Sequence, residues 1–289
     1  MFIKVLGLLS TRENMPDEEE PRLKPTVRPI KRAQPGSSFN SRAPFPVQSR
    51  APQDRRVPSG IPGLDSLLGG GFEVASTTLV MGGAGCGKTT FLAQFLNNGA
   101  VENGEPGVLL SFEESHDSVV RHMASFGFDF NALEKQGLFT QISYRPHEIK
   151  KLVDEGGGLI LDTITSLGAK RLAIDSLTSY TVLFDSQYKA REAEILLFDI
   201  LRKWECTALL SAEGTPTNAD RATAGMEYLS DGVIVMHHPR LQGSRYRALE
   251  VLKMRGAKFS DRLCPFEFVE GVGIKVYPEA EVFYDIKDE

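Results

Sequence analysis

Two rhythms of apolar and polar positions run along the chain. Between about residue 77 and residue 211, short apolar runs alternate with stretches whose apolar positions fall three and four apart. The runs Thr77 to Met81, Gly107 to Phe112, Leu138 to Ser143, Arg171 to Asp175 and Thr207 to Ser211 predict buried strands. Ser118 to Phe126, Leu159 to Leu167 and Tyr188 to Trp204 predict helices between them. Such alternation predicts an α/β fold with a mostly parallel central sheet flanked by helices, because parallel strands need crossover connections. Beyond Asp231 the rhythm changes. Gly232 to His237, Arg245 to Arg255 and Phe266 to Tyr277 read as strands without helices between them, an antiparallel C-terminal extension of the same sheet. No internal repeat is visible.

The first 56 residues follow neither rhythm. In residues 1–13, Phe2, Val5, Leu6 and Leu9 fall on one helical face, which suits a docking peptide, a weak interfacial helix or a frayed terminus. The stretch is too short to span a membrane and lacks the basic start and cleavage site of a secretory signal. Residues 14–56 are rich in Pro, Arg and Ser, the composition of a disordered linker. The folded domain is expected over residues 57–289.

Composition sharpens the division. The chain of 289 residues has net charge −5 and 41% hydrophobic residues, enough for a sizeable core. Residues 21–56 hold nine cations against Asp54 alone, so the basic charge sits in the leader and the folded part is acidic. That balance disfavours nucleic acid as a partner of the folded part; the leader's charge suits a solvated tail first, and a contact with nucleic acid or an acidic protein second. Cys86, Cys206 and Cys264 lie too far apart for a metal motif or a disulfide framework, so a reducing, cytoplasmic location is expected.

The chemistry centres on Gly82-Gly83-Ala84-Gly85-Cys86-Gly87-Lys88-Thr89, which matches G-x-x-x-x-G-K-[ST] at every fixed position. An apolar strand pattern precedes it, and a helical pattern starting at Thr90 follows. Glycines let backbone close around a polyphosphate, and the loop amides with the helix N-terminus point at its oxygens. Residues Gly82 to Thr90 are the expected nucleotide contacts. Lys88 is expected at the β- and γ-phosphates, and Thr89 on Mg²⁺. Cys86 is either a small filler or a thiol whose oxidation blocks the loop.

A second carboxylate on the metal side comes from the apolar run Arg171 to Ile174, which ends in Asp175. At a strand's C-terminal end, Asp175 is expected to face the nucleotide and hold Mg²⁺ through water. Glu113-Glu114 follows another strand at the same edge. One of the two suits the base that activates water, with the other tuning it or binding metal; the bland alternative is an acidic turn capping the next helix.

These residues carry a family resemblance. Ser59-Gly60-Ile61-Pro62-Gly63-Leu64-Asp65, Gly69-Gly70-Gly71-Phe72 and the P-loop together resemble the opening of a KaiC-type domain of the RecA superfamily. In order, Leu110 to Ser115, Leu172 to Thr178, Ser230 to Ile234 and Leu252 to Gly256 resemble that family's glutamate segment, Walker B strand and C-terminal strands. The likeness covers roughly Val57 to Pro278. It implies a RecA-like core binding ATP and Mg²⁺ in a hexamer or other ring or filament, with ATP between subunits. It also implies that Lys253 and Arg255 reach a neighbour's γ-phosphate, and it places Ser211 to Glu213 as a γ-phosphate sensor. The chain departs from the clock protein: one such domain, not two, and Met226-Glu227-Tyr228-Leu229 where an autophosphorylated Ser-Thr pair is expected.

The resulting expectation is a regulatory or signalling ATPase, with a protein partner reached through the N-terminal segment. The alternative is a recombination accessory ATPase resembling RadA paralogues, whose loop Thr215 to Ala224 offers only Arg221 against Asp220 for DNA. A nucleotide-gated scaffold is disfavoured by Glu113, Glu114 and Arg255, and protein phosphotransfer by the missing acceptor pair.

Overall fold

A computed structural model describes residues 56–144, 158–214, 225–241 and 244–280. The expectations for the N-terminal segment, for the Pro/Arg-rich linker up to residue 55 and for the loop 215–224 lie outside the described residues.

A short antiparallel pair, β1 (Arg56–Val57) with β2 (Phe72–Glu73), opens the domain around helix α1 (Leu64–Leu67). The central strands are β3 (Thr77–Gly82), β4 (Gly107–Ser111), β5 (Phe139–Ser143), β6 (Arg171–Asp175), β7 (Thr207–Glu213) and β8 (Gly232–His237). They run parallel in the order β8-β3-β7-β6-β4-β5. A small hairpin of β9 (Arg240–Leu241) and β10 (Ser244–Arg245) follows. Then β11 (Ala248–Met254), β12 (Cys264–Val269) and β13 (Gly273–Val276) extend the sheet antiparallel beyond β8.

Alternation along each strand fills both faces. Val80, Leu109, Ala173, Leu209 and Ile234 pack under helices α2 (Lys88–Asn103), α3 (His116–Ala124) and α4 (Phe130–Lys135). Their neighbours Leu79, Met81, Val108, Leu172 and Leu210 pack under α5 (Gly158–Leu167), α6 (Leu177–Thr181) and α7 (Gln187–Lys203). The last helix, α8 (Met226–Leu229), leads into β8.

Two polar anchors fix α2, the helix that begins in the P-loop. The fully buried Arg171 donates from Nε to Glu105 at 2.7 Å and from Nη1 to the Phe95 carbonyl at 2.9 Å. Its guanidinium lies 4.5 Å over the Phe95 ring. Gly99 makes room for it, since a Cβ there would stand 2.2 Å from Arg171 Nε. Further along, the Gln94 amide donates to the Ile274 carbonyl at 3.0 Å and accepts from the Ile274 N–H at 2.6 Å, joining α2 to edge strand β13.

The sequence expectations need three corrections. Arg245 to Arg255 is not one strand, because the chain leaves β10 at Tyr246 and resumes as β11 at Ala248. Phe266 to Tyr277 is a hairpin, turned where Gly271 and Gly273 adopt φ 74° and 90°. Helix α3 starts two residues before Ser118, because Ser115 accepts from the Ser118 N–H and caps it.

Candidate active site

The P-loop leaves β3 at Gly82 and turns into α2. Gly87 holds φ 106°, and a Cβ on it would lie 2.5 Å from Phe268. Gly83 and Gly85 have nothing within 4 Å of a Cβ position, so the open side of the loop faces away from the protein. No side chain caps α2, which leaves its first amides available to an anion. Lys88 Nζ donates to the carbonyls of Gly82 at 2.9 Å and Gly83 at 3.2 Å. Ala84 is exposed on the loop, and Thr90 is buried one residue into the helix beyond Thr89. Cys86 is fully buried against Gly82, and burial pushes its thiol up, away from the reactive thiolate. That environment favours the filler.

Parallel register brings Asp175 to the loop. Thr89 Oγ1 donates to Asp175 Oδ2 at 2.7 Å, and Ser211 Oγ donates to Asp175 Oδ1. Burial raises the Asp175 carboxyl above its ordinary value; the Ser211 and Thr89 hydroxyls oppose that, and nearby Glu113 adds to it. A group raised in this way contributes stability that is fully present below its unfolded value of 3.8 and lost as pH rises through the folded value. At neutral pH its charge therefore weakens the fold in the absence of a cation. Asp175→Asn is expected to raise Tm at pH 7 without nucleotide and to raise it less at pH 4. Calorimetry across pH checks this, and an unchanged or lower Tm at pH 7 would count against it.

The structure separates the two glutamates. Glu113 is exposed beside Asp175, and its Oε1 accepts from Ser176 Oγ and from Ser179 Oγ at 2.7 Å. Glu114 turns towards α3, where its Oε2 meets Ser118 Oγ at 3.1 Å and His122 Nδ1 at 3.0 Å. Its backbone is held as well: Ser111 Oγ accepts from its N–H at 3.0 Å and donates to its carbonyl at 2.8 Å, and Gln141 Nε2 donates to that carbonyl at 3.1 Å. Glu113 thus lies on the Asp175 side, and Glu114 braces the turn.

Lys253 and Arg255 lie at the other end of the sheet. Antiparallel register sets Ala248 opposite His237, near the P-loop, and Met254 opposite Gly232 at the start of β8. Five residue steps of strand separate those ends, roughly 16 Å at about 3.3 Å per step. Arg255 Nη1 donates to Asp231 at 3.1 Å, and Lys253 Nζ to the carbonyls of Glu227 at 2.8 Å and Ser230 at 2.6 Å. Burial, then the adjacent Arg255, lowers the Lys253 ammonium below the ordinary lysine range.

Several contributors were not singled out by sequence reasoning. Ser176 and Ser179 bind Glu113, and Phe268 packs on Gly87 with the Arg247 guanidinium 4.8 Å over its ring. The only signal for the two serines was a pair of hydroxyls just past a strand ending in aspartate.

A P-loop on the second strand of a β8-β3-β7-β6-β4-β5 order, facing an aspartate two strands away, defines a RecA-like P-loop fold. The family described as "ATPase: KaiC" matches residues 57–281, and the chain belongs to it. A UPF0273 protein of Aeropyrum pernix is 36% identical over 240 residues, covering 78% of this chain and 95% of that one. The circadian clock protein KaiC2 of Synechocystis is 35% identical over 234 residues, 77% of this chain but 40% of that protein. A crystal structure of a KaiC-like protein from the hyperthermophilic archaeon Pyrococcus horikoshii superposes with a TM-score of 0.70 at 38% identity, covering 78% of this chain and 99% of that one. Among the described residues, no helix is long and apolar enough to cross a membrane.

Proposed function

We propose that the protein hydrolyses ATP with Mg²⁺ at the interface between copies of itself and acts as a regulatory ATPase. The observation that carries this is the meeting of Lys88, Thr89, Asp175 and Glu113 at one edge of the sheet. The Thr89 hydroxyl and the Asp175 carboxylate offer adjacent hard oxygens, the donor set Mg²⁺ takes, and a divalent charge offsets the cost of burying Asp175. When bound, Mg²⁺ neutralises phosphate charge as it develops.

Glu113 takes the proton of the attacking water. Two hydroxyls donate to its Oε1, which fixes the carboxylate and leaves Oε2 as the accepting oxygen. Lys88 turns from the loop carbonyls to the phosphates. Lys253 and Arg255 stand too far from their own P-loop to serve it, so they serve a neighbour's. Arg255 is half-exposed, as a group reaching across an interface must be. The acidic folded body supports a protein partner over nucleic acid.

Steady-state phosphate release from ATP, at several protein concentrations with and without single-stranded DNA, tests the proposal. Turnover per subunit is expected to rise with concentration and to ignore DNA. Concentration-independent turnover would remove the interface from the mechanism, and strong stimulation by DNA would move the protein to the recombination class.

A further inference from the structure

Asp231 stands where two structural lines cross. Its Oδ2 accepts from the Thr77 N–H at 3.0 Å, and its own N–H donates to the Thr77 carbonyl at 2.7 Å. Thr77 is the first residue of β3, the strand that ends in the P-loop at Gly82. On its other side, Asp231 Oδ1 accepts from Arg255 Nη1 at 3.1 Å, and its carbonyl accepts from the Arg255 N–H at 2.8 Å. Both carboxylate oxygens and both backbone groups are therefore committed, one of each to the phosphate-loop strand and one of each to Arg255.

The surroundings are arranged to the same end. The register of β11 shifts between Val251 and Lys253, so that Lys253 pairs with Val233 rather than continuing the face of Val251. Val251 packs on the α2 side of the sheet and Val233 on the α7 side, which is the side of Met226 in α8. The bulge turns Lys253 onto the carbonyls of Glu227 and Ser230. Arg255 Nη2 reaches the Tyr228 carbonyl at a longer 3.4 Å, so Asp231 supplies the one charged contact of this guanidinium among the described residues. An ion pair this exposed contributes little to stability. Its value lies in orientation: it restricts a long, half-exposed side chain to one direction before a phosphate arrives.

We infer that Asp231 is the positioning residue of Arg255, aiming it across the subunit interface from the base of its own phosphate-loop strand. The inference rests on the proposal that Arg255 acts on a neighbour's ATP. Asp231 touches no substrate and acts only through Arg255.

Asp231→Asn is the informative variant, because the Asn carbonyl still accepts from the Thr77 N–H while its amide presents donors to Arg255. Homogeneous D231N is expected to bind ATP as wild type does and to lose roughly 10- to 100-fold in kcat, the scale of a misplaced catalytic group. The decisive measurement mixes subunits of the full chain by co-expression. Lys88→Ala subunits have no working P-loop but carry an intact Asp231 and Arg255. Mixed one to one with them, about half of the D231N P-loops face a correctly aimed Arg255 in a head-to-tail assembly, and about that fraction of turnover per D231N subunit should return. Arg255→Ala mixed with Lys88→Ala is the control. Recovery in both mixtures supports the inference. Recovery with Arg255→Ala but not with D231N overturns it and leaves the interfacial proposal standing, as does loss of ATP affinity in D231N, which would place the effect in its own P-loop through Thr77. Recovery in neither mixture overturns the interfacial proposal and this inference with it.

Discussion

Arg255→Ala is expected to reduce phosphate release by roughly 10³-fold or more, the scale of arginine fingers in phosphoryl transfer. The affinity for ATP should stay within about twofold, because the proposed phosphate contacts, Lys88 and the loop amides, lie at the other end of the sheet. A guanidinium that meets ATP only as negative charge builds on the transferred group lowers the barrier without tightening the ground state. Arg255→Lys is expected to recover little, since an ammonium lacks the planar fork. Rapid-quench turnover together with equilibrium binding of a fluorescent ATP analogue separates the two quantities. Equal turnover in Arg255→Ala would remove the finger assignment, and parallel loss of affinity would show that Arg255 shapes the fold instead.

The second large effect concerns the adjacent glutamates, which the structure predicts will behave unequally. Glu113→Gln should lower kcat by about 10²- to 10⁴-fold, the range for loss of a general base. The change keeps shape and the Ser176 and Ser179 contacts while removing the proton acceptor. Glu114→Gln should cost less than about tenfold, a positioning effect, because that carboxylate is spent on Ser118 and His122. Its main trace should be a lower Tm, through a weakened start of α3. Single-turnover hydrolysis and thermal unfolding of both variants check the ranking. A reversed ranking would mean that Glu114 leaves His122 when ATP binds and that the roles belong the other way round.

What could be read in advance follows from physical causes. The P-loop was legible because its glycines and Lys-Thr pair are demanded by contact with phosphate. The inner parallel strands were legible because burial on both faces leaves an apolar run, as in Leu172 to Ile174 of β6, whose five residues are all buried. Asp175 stood out as a charge ending such a run. The short helices Leu64–Leu67, Leu177–Thr181 and Met226–Leu229 are four or five residues long, too brief for a 3.6-residue period to appear. The hairpin inside Phe266 to Tyr277 depends on two left-handed glycines that sit within an apolar stretch. Nor does adjacency in sequence say which way two glutamates point. Ser176 and Ser179 lie 63 and 66 positions from Glu113, and only the pairing of β4 with β6 brings them together.

If Arg255 serves a neighbour's P-loop, the length of sheet that divides it from Lys88 gives each copy a donating end and a receiving end. On the proposed reading, a lone chain completes no site. An open row of n copies completes n − 1, since one terminal P-loop has no donor and the other terminal donor has no recipient. Closing the row into a ring completes the last site without adding a residue. Closure is therefore itself a catalytic event, and the gain in turnover per subunit between open and closed assemblies is largest for the smallest ring.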